Sequence, residues 1–384
     1  MKFDYSEEQR LVADSVRRFV AQDYAFEARR KILASSAGWS EAAWSKLAEI
    51  GLLGLPFDSD YGGFGGRAVD LMSVMEAFGD ALVVEPYLAT VLGGRFVARG
   101  AVEARKREIL PAIAEGRLRM AFAHGEEGAR YDLARVATRA KRTPSPLGEG
   151  RGEGGYIIDG RKRAILRAPC ADLLVVSART SGAEADRAGI SLFLVDAAAV
   201  AMTSYAMLDG TRGADVDLKG VQVAADALIC SEGDAIGLIE EVTDFALALL
   251  CAEAVGAMNY ANEATLEYLK TRRQFGVPIG SFQALQHRMV DMVIECEQAR
   301  SMASLACARV DADIDAAERT RLVSAAKIKI ADAARRISQE AVQMHGGMGM
   351  SDELKVSHTF RRLTAIAREL GDADHHLERF ARGQ

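Results

Sequence analysis

The sequence predicts a mainly α-helical protein with a central β-domain: an N-terminal helical domain, a middle β-barrel or sandwich, and a C-terminal four-helix bundle. Three observations carry this. Apolar residues recur at helical spacing over residues 1–118, the period shifts to short β-rich runs over 119–231, and helical spacing returns over 232–384.

The elements follow in order. Ser6-Glu7-Glu8-Gln9 has the spacing of a capping box, with Ser6 at the N-cap and Gln9 reaching back. Leu11, Val12, Val16, Phe19 and Val20 then share one helical face. A second helix over 40–50 stops at Gly51, ahead of the glycine-rich loop Tyr61–Gly66. Helix resumes over 68–115, with a break near Pro86. In the middle domain Leu173–Ser177, Ile190–Val195 and Val216–Val223 have strand composition. The stretch 143–155 inside it is rich in proline, glycine and charge and has no apolar groups to order it, so it is expected to be a flexible surface insertion. In the last domain helices over 235–272, 282–310, 319–345 and 352–370 build the bundle, and Pro278 separates the first two.

Composition excludes several function classes. The chain has 384 residues, 49% apolar and 27% charged, which suits an ordinary soluble globular protein. Net charge is −6 with no basic stripe, so nucleic acid is not an expected partner. No apolar run reaches the roughly 18 residues of a membrane span, and Met1–Tyr5 lacks the apolar stretch of a signal peptide. The five cysteines are scattered with no CxxC pair, as in a cytoplasmic protein with reduced, mostly buried thiols.

Two segments carry chemistry. The first is Tyr268–Ile279 followed by Phe282-Gln283, at the junction of two long helices. Its bland reading is a helix C-terminus, with basic side chains on the dipole, Gly276 near the C-cap and Pro278 as the stop. Its functional reading is nucleotide binding. Arg272 offers a pyrophosphate a planar, permanently charged, bidentate donor. Phe275 offers a ring to lie against a ring system, and Gln274 and Gln283 carry both donors and acceptors. The second segment is Gln343–Met350. Its glycines suit a helix C-cap, or else Gly346 and Gly347 let the backbone approach a cofactor while Gln343 adds a polar contact.

Together, R-x-Q-F-G-x-P-I-x-x-F-Q and the later Q-x-x-G-G-x-G resemble the signature of the acyl-CoA dehydrogenase family. The helix–β–helix order is similar too, over nearly the whole chain apart from 143–155. The resemblance implies the family's fold, a flavoenzyme with one flavin adenine dinucleotide (FAD) per active site, and α,β-desaturation of an acyl-CoA. It also implies a tetramer in which Arg272, Gln274, Phe275, Gln283, Gln343, Gly346 and Gly347 hold the adenosine-diphosphate half of a flavin lodged mainly in a neighbouring subunit. Electron-transfer flavoprotein is the implied electron partner. Leu249–Met258, Ser281–Arg288, Phe360–Thr364 and Gly371–Leu377 resemble the small subunits of two-component pimeloyl-CoA dehydrogenases, which implies a dicarboxylyl-CoA substrate such as pimeloyl-CoA.

Departures from the family pattern are as informative. Desaturation needs a carboxylate to remove the α-proton, and the family places it in one of two positions. An ungapped count puts Leu370 in the first and Ala246 in the second, so no catalytic residue is assigned to this chain; a one-residue slip would bring Glu369 into the first. The family's flavin-binding L-T-E-P-x-x-G-S-D segment reads here as Phe122–Asp132, without the Thr, Pro and Ser-Asp. In the family's G-x-K-x-W-I-T segment, Ala164 replaces the ring and Leu166 the hydroxyl. The expectation is an α2β2 complex in which this chain completes the flavin site of a Glu-bearing large subunit. The alternatives are a self-sufficient homotetramer with Glu369 as displaced base, and a non-catalytic structural partner. Four features are read as bland: Asp372–His376 as a solvent-facing or helix-end stretch rather than a metal site, His287 and His345 as helix-surface or interface residues, the 62–66 loop as no dinucleotide fingerprint, and Ala104–Arg107 as a solvated helix face.

Overall fold

The computed structural model describes residues 7–144 and 154–382. Ser6, expected to cap the first helix, and most of the 143–155 insertion lie outside them. The chain forms two compact units, one of Met1–Lys31, Arg67–Val83 and Asp244–Gln384, the other of Ile32–Gly66 and Val84–Thr243.

The first unit is helical: α1 (Glu7–Asp23), α4 (Ala68–Ala81), most of α7 (Ile236–Thr271), α8 (Gln283–Arg309), α9 (Ala316–His345), α10 (Lys355–Ile366) and α11 (Ala373–Arg382). Residues 242–258 of α7 are buried on every face, which is why this stretch is apolar all round rather than striped. It crosses α4 at a glycine pair. A Cβ at Gly79 would lie 1.8 Å from the Glu253 carbonyl, and one at Gly256 would lie 1.8 Å from that of Glu76, so neither position accepts a side chain. Helix α9 packs against α8, α10 and α11.

Two expectations change here. In α1 the buried face is Ala13, Val16 and Phe19, while Leu11 is 63% exposed. The helix expected over 352–370 is α10 alone, shortened to Lys355–Ile366; the chain turns at 367–372, and α11 beyond it has no counterpart in the sequence reading. Asp372 accepts the His375 N–H at 3.0 Å and so caps α11.

The second unit holds α2 (Phe26–Ala34, from Ile32 on), α3 (Glu41–Glu49), α5 (Tyr87–Gly100), α6 (Glu103–Ala114) and an eight-stranded sheet. Helix α2 has no counterpart in the sequence reading, and the 68–115 stretch breaks a second time between α5 and α6. The sheet order is β6 (Ala201–Ala206), β7 (Arg212–Ala224), β3 (Gly155–Leu166), β2 (Arg139–Thr143), β4 (Leu173–Arg179), β5 (Ile190–Asp196), β8 (Leu228–Ile229), with β1 (Met120–Ala123) beside β4. Strands β4 and β5 are buried on both faces. Leu174, Val176, Phe193 and Val195 join one apolar cluster; Val175, Leu192 and Leu194 join another that includes Phe96, Ile109 and Ile113. Continuous apolar runs, rather than alternation, are what that position requires. Among the described residues no helix is long and apolar enough to cross a membrane.

Candidate active site

The first motif is a hairpin, not a helix C-cap. After α7 ends, Arg273–Gln274 pairs with Val277–Pro278 around Phe275 and Gly276, whose φ values are 54° and 82°. Two positive φ values in a two-residue loop are the requirement of the type I′ turn. Glycine meets that freely, but a phenylalanine there sits in a conformation costing about 1–2 kcal/mol. Phe275 is nonetheless 90% exposed, its ring edge-on to Phe282 at 6.2 Å. Arg272 is fixed through its backbone, its N–H donating to Tyr268 O and its carbonyl accepting from Ile279 N, both at 2.8 Å. Its side chain is exposed and among the described residues has no ion pair. Gln274 and Gln283 are exposed as well.

The second motif closes α9. Gly346 has φ 62° and ψ −146°, a region open essentially to glycine alone. Gly346 and Gly347 are exposed, with nothing within 4 Å of where a Cβ would be, and Gln343 is exposed on the last turn. The two motifs meet through their helices, where Tyr268 of α7 stacks on His345 of α9 with ring centroids 4.5 Å apart. Of the two histidines read as helix-surface or interface residues, His345 is buried and His287 is exposed.

The positions expected to carry a base offer none. Ala246 is buried within α7, and Leu370 sits at φ 59° in the turn after α10. Nearby carboxylates are held by arginines. Glu253 is bound by Arg362 through two bonds of 2.6 and 2.8 Å, and Glu369 by the same guanidinium at 3.2 Å. Asp244, fully buried two residues before Ala246, pairs with Arg319 at 3.0 Å and Arg379 at 2.7 Å. The 366–371 turn is fixed from beneath. The buried Lys327 ammonium donates to the carbonyls of Ile366 and, at 2.8 Å, Glu369. His376 Nε2 donates to Leu370 O at 3.1 Å. His376 is fully buried rather than solvent-facing, and burial pushes its imidazole down to about 3.

In the second unit the segments that depart from the family pattern have their polar groups satisfied internally. At the irregularity in β3 where Ala164 sits at φ 53°, the Ala164 N–H donates to Asp215 at 3.1 Å. The same carboxylate accepts from Tyr205 OH at 2.9 Å and is bound by Arg163. Within Phe122–Asp132, Glu126 accepts from Ala137 N at 2.7 Å and Lys162 Nζ at 2.6 Å. Lys162 is wholly buried, and burial holds its ammonium down to about 8. Along Ala104–Arg107, Arg105 is not simply solvated, since it pairs with Glu108 at 2.8 Å and Asp226 at 3.1 Å. Sequence reasoning missed the contacts of Tyr268, His345, Arg362 and Lys327 with residues distant in the chain.

Residues 6–117, 121–221 and 236–384 match the family descriptions "Acyl-CoA dehydrogenase, N-terminal domain", "middle domain" and "C-terminal domain". Acyl-CoA dehydrogenase FadE12 of Mycobacterium tuberculosis is 31% identical over 385 residues, covering 96% of this chain and 95% of that protein. Among solved structures, the ChsE4–ChsE5 complex from Mycobacterium tuberculosis is similar with a TM-score of 0.87 at 26% identity, covering 100% of this chain and 98% of that one. PigA with FAD and proline is similar with a TM-score of 0.88 at 26% identity, with the same coverage. The three matched domains, in order along the chain, place this protein in the acyl-CoA dehydrogenase family of flavin-dependent oxidoreductases acting on CH–CH bonds.

Proposed function

We propose that this chain is the base-lacking subunit of an α2β2 acyl-CoA dehydrogenase, completing the FAD site of a Glu-bearing partner. One observation carries the reading: neither expected base position holds an acid, and the nearby carboxylates Glu253, Glu369 and Asp244 are each engaged by arginine.

The residues fit one half of FAD and not the other. Exposed Arg272 would take the pyrophosphate bidentately, Gln274, Gln283 and Gln343 the polar edges of the nucleotide, and Phe275 a ring face, with Gly346 and Gly347 admitting close backbone approach. The isoalloxazine side has no such provision in this chain's β-domain, where the Ala164 N–H is already bonded to Asp215 and Leu166 brings no hydroxyl. When bound, FAD accepts the hydride that desaturation releases; the partner subunit supplies the carboxylate for the α-proton. Electron-transfer flavoprotein is then the class of acceptor that reoxidises the flavin. The resemblance of Leu249–Met258, Ser281–Arg288 and Gly371–Leu377 to pimeloyl-CoA dehydrogenase small subunits supports a dicarboxylyl-CoA as substrate. Two named relatives bear on the reading: one is a two-component complex and the other carries FAD.

The protein expressed alone is expected to hold FAD well below one per chain and to leave pimeloyl-CoA unoxidised; co-expression with a Glu-bearing dehydrogenase restores both. Stoichiometric FAD and turnover by the isolated chain would overturn the proposal in favour of a self-sufficient homotetramer. A complex whose flavin content ignores Arg272→Ala would favour a purely structural partner.

A further inference from the structure

The nucleotide-binding motifs lie at the ends of two helices far apart in sequence, and a clamp built from both needs its halves held at one separation. One ring pair joins the helix ends. Tyr268 is one turn before Arg272, and its carbonyl accepts the Arg272 N–H at 2.8 Å. His345 is the last residue of α9, directly before Gly346. The rings stack with centroids 4.5 Å apart and planes 26° from parallel. His345 is locked on its own helix as well, since Nδ1 donates to Ala341 O at 2.8 Å, which fixes the tautomer and the ring plane. Neither ring belongs to the exposed surface that Arg272, Gln343 and the glycines present: His345 is 6% exposed and Tyr268 half-buried. Burial lowers the imidazole from its ordinary range, which keeps the stack a pair of neutral rings.

We propose that Tyr268 and His345 are positioning residues for the FAD clamp: their stack sets the spacing between the Arg272 hairpin and the Gly346–Gly347 turn, and FAD affinity depends on it although neither ring touches the cofactor. The proposal rests on the reading of the two motifs as an FAD clamp. It makes the stack one interaction with two owners, so removing either ring forfeits all of it. An aromatic pair of this geometry accounts for roughly threefold to tenfold in an equilibrium constant.

The test measures FAD dissociation from the complex with the Glu-bearing partner, by recovery of free-flavin fluorescence on dilution, alongside the thermal midpoint. Arg272→Ala is the reference and is expected to weaken FAD whatever the stack does. Tyr268→Ala and His345→Ala are each expected to weaken FAD roughly threefold to tenfold. The double variant is expected to match the singles instead of multiplying them. His345→Phe, which keeps a ring but loses the Ala341 bond, is expected to stay within about twofold of native affinity, as is Tyr268→Phe. These last two keep the proposal falsifiable if the alanine variants fold poorly. Native affinity in both alanine variants, with Arg272→Ala weakened, overturns the proposal and leaves the clamp reading standing. Multiplicative loss in the double variant, or affinity in His345→Phe as low as in His345→Ala, overturns it as well. An unaffected Arg272→Ala removes the clamp reading and this proposal with it.

Discussion

The hairpin and glycine turn at 272–283 and 343–347 differ sharply from the turn at 366–371, although both lie in the helical unit. In the first region Arg272 has no ion pair among the described residues, three glutamines face outward, and a phenylalanine occupies a costly backbone conformation at a hairpin tip. In the second, polar groups are spent: Glu369 on Arg362, the carbonyls of Ile366 and Glu369 on Lys327, that of Leu370 on His376. A region kept for a ligand leaves donors uncommitted and tolerates strain. On the proposed reading the second region meets no ligand and closes on itself, because buried polar groups without partners are costly. The contrast predicts that substitutions in the closed turn change stability, while those in the open motifs change flavin binding.

The largest effect is expected in the closed region. Arg362→Ala leaves Glu253 and Glu369 facing each other without their shared cation, and breaking a buried pair this way costs about 3–5 kcal/mol. Urea unfolding of the variant should show that loss; a change below about 1 kcal/mol would mean the pair is held in a far more solvated setting. Next is Arg272→Ala. Its thermal midpoint should be unchanged, while the complex's FAD affinity falls roughly tenfold to a hundredfold, the span of a charge-assisted hydrogen bond worth about 1.5–3 kcal/mol.

The two regions were unequally legible in the sequence. The open motifs are contiguous, and their residue types are those read as nucleotide-binding: an arginine, glutamines and paired glycines at fixed offsets. What was misread there is local geometry. Gly276 suits a helix C-cap and a hairpin turn equally, and only the pairing of Val277 with Gln274 decides. The closed turn rests in part on residues distant in the chain, Lys327 lying 42 positions before Glu369 and Glu253 lying 109 before Arg362, and no period or spacing announces such a contact. Its terminal helix was missed for a related reason. Gly371 lies in the turn after α10 and Asp372 caps the next helix, and the histidines that follow look like surface residues until α11 buries His376. The long central helix was legible because its apolar run has no other use, but the arginines that meet Asp244 and Glu253 inside that run are known only from the structure.

His376 gives the closed region a pH signature. Its folded imidazole titrates at about 3 against an ordinary value of 6.5. The unfolded chain therefore binds the extra proton between those limits, so stability is complete above about pH 6.5 and is lost as pH falls toward 3. At pH 5 the loss is roughly 2 kcal/mol. His376→Gln should be less stable than the parent at pH 7 and should lose less on acidification. Equal acid sensitivity in the two proteins would assign the effect to other groups. In the open region Phe275→Gly relieves the left-handed backbone and is expected to stabilise the isolated chain by about 1 kcal/mol while weakening FAD in the complex. A stabilised variant with undiminished flavin affinity would show that the ring has no part in the clamp.

The smallest effect tests the point on which the whole comparison turns. Glu369 is one residue from the position of the family's base, so its role separates a closed turn from a displaced active site. Glu369→Gln keeps the shape and a hydrogen-bonding oxygen toward Arg362 but cannot take a proton. Glu253 retains its two bonds to the same guanidinium, so the stability change should stay under about 1 kcal/mol. If the partner supplies the base, kcat of the complex stays within about twofold of native, because general-base removal typically costs at least about a hundredfold and nothing of that kind has been removed. A hundredfold fall in kcat at unchanged KM would make Glu369 the base and this turn an active site. The arginine beside it argues the other way: Arg362 binds a Glu369 oxygen at 3.2 Å, and a guanidinium beside a carboxylate makes it a weaker proton acceptor.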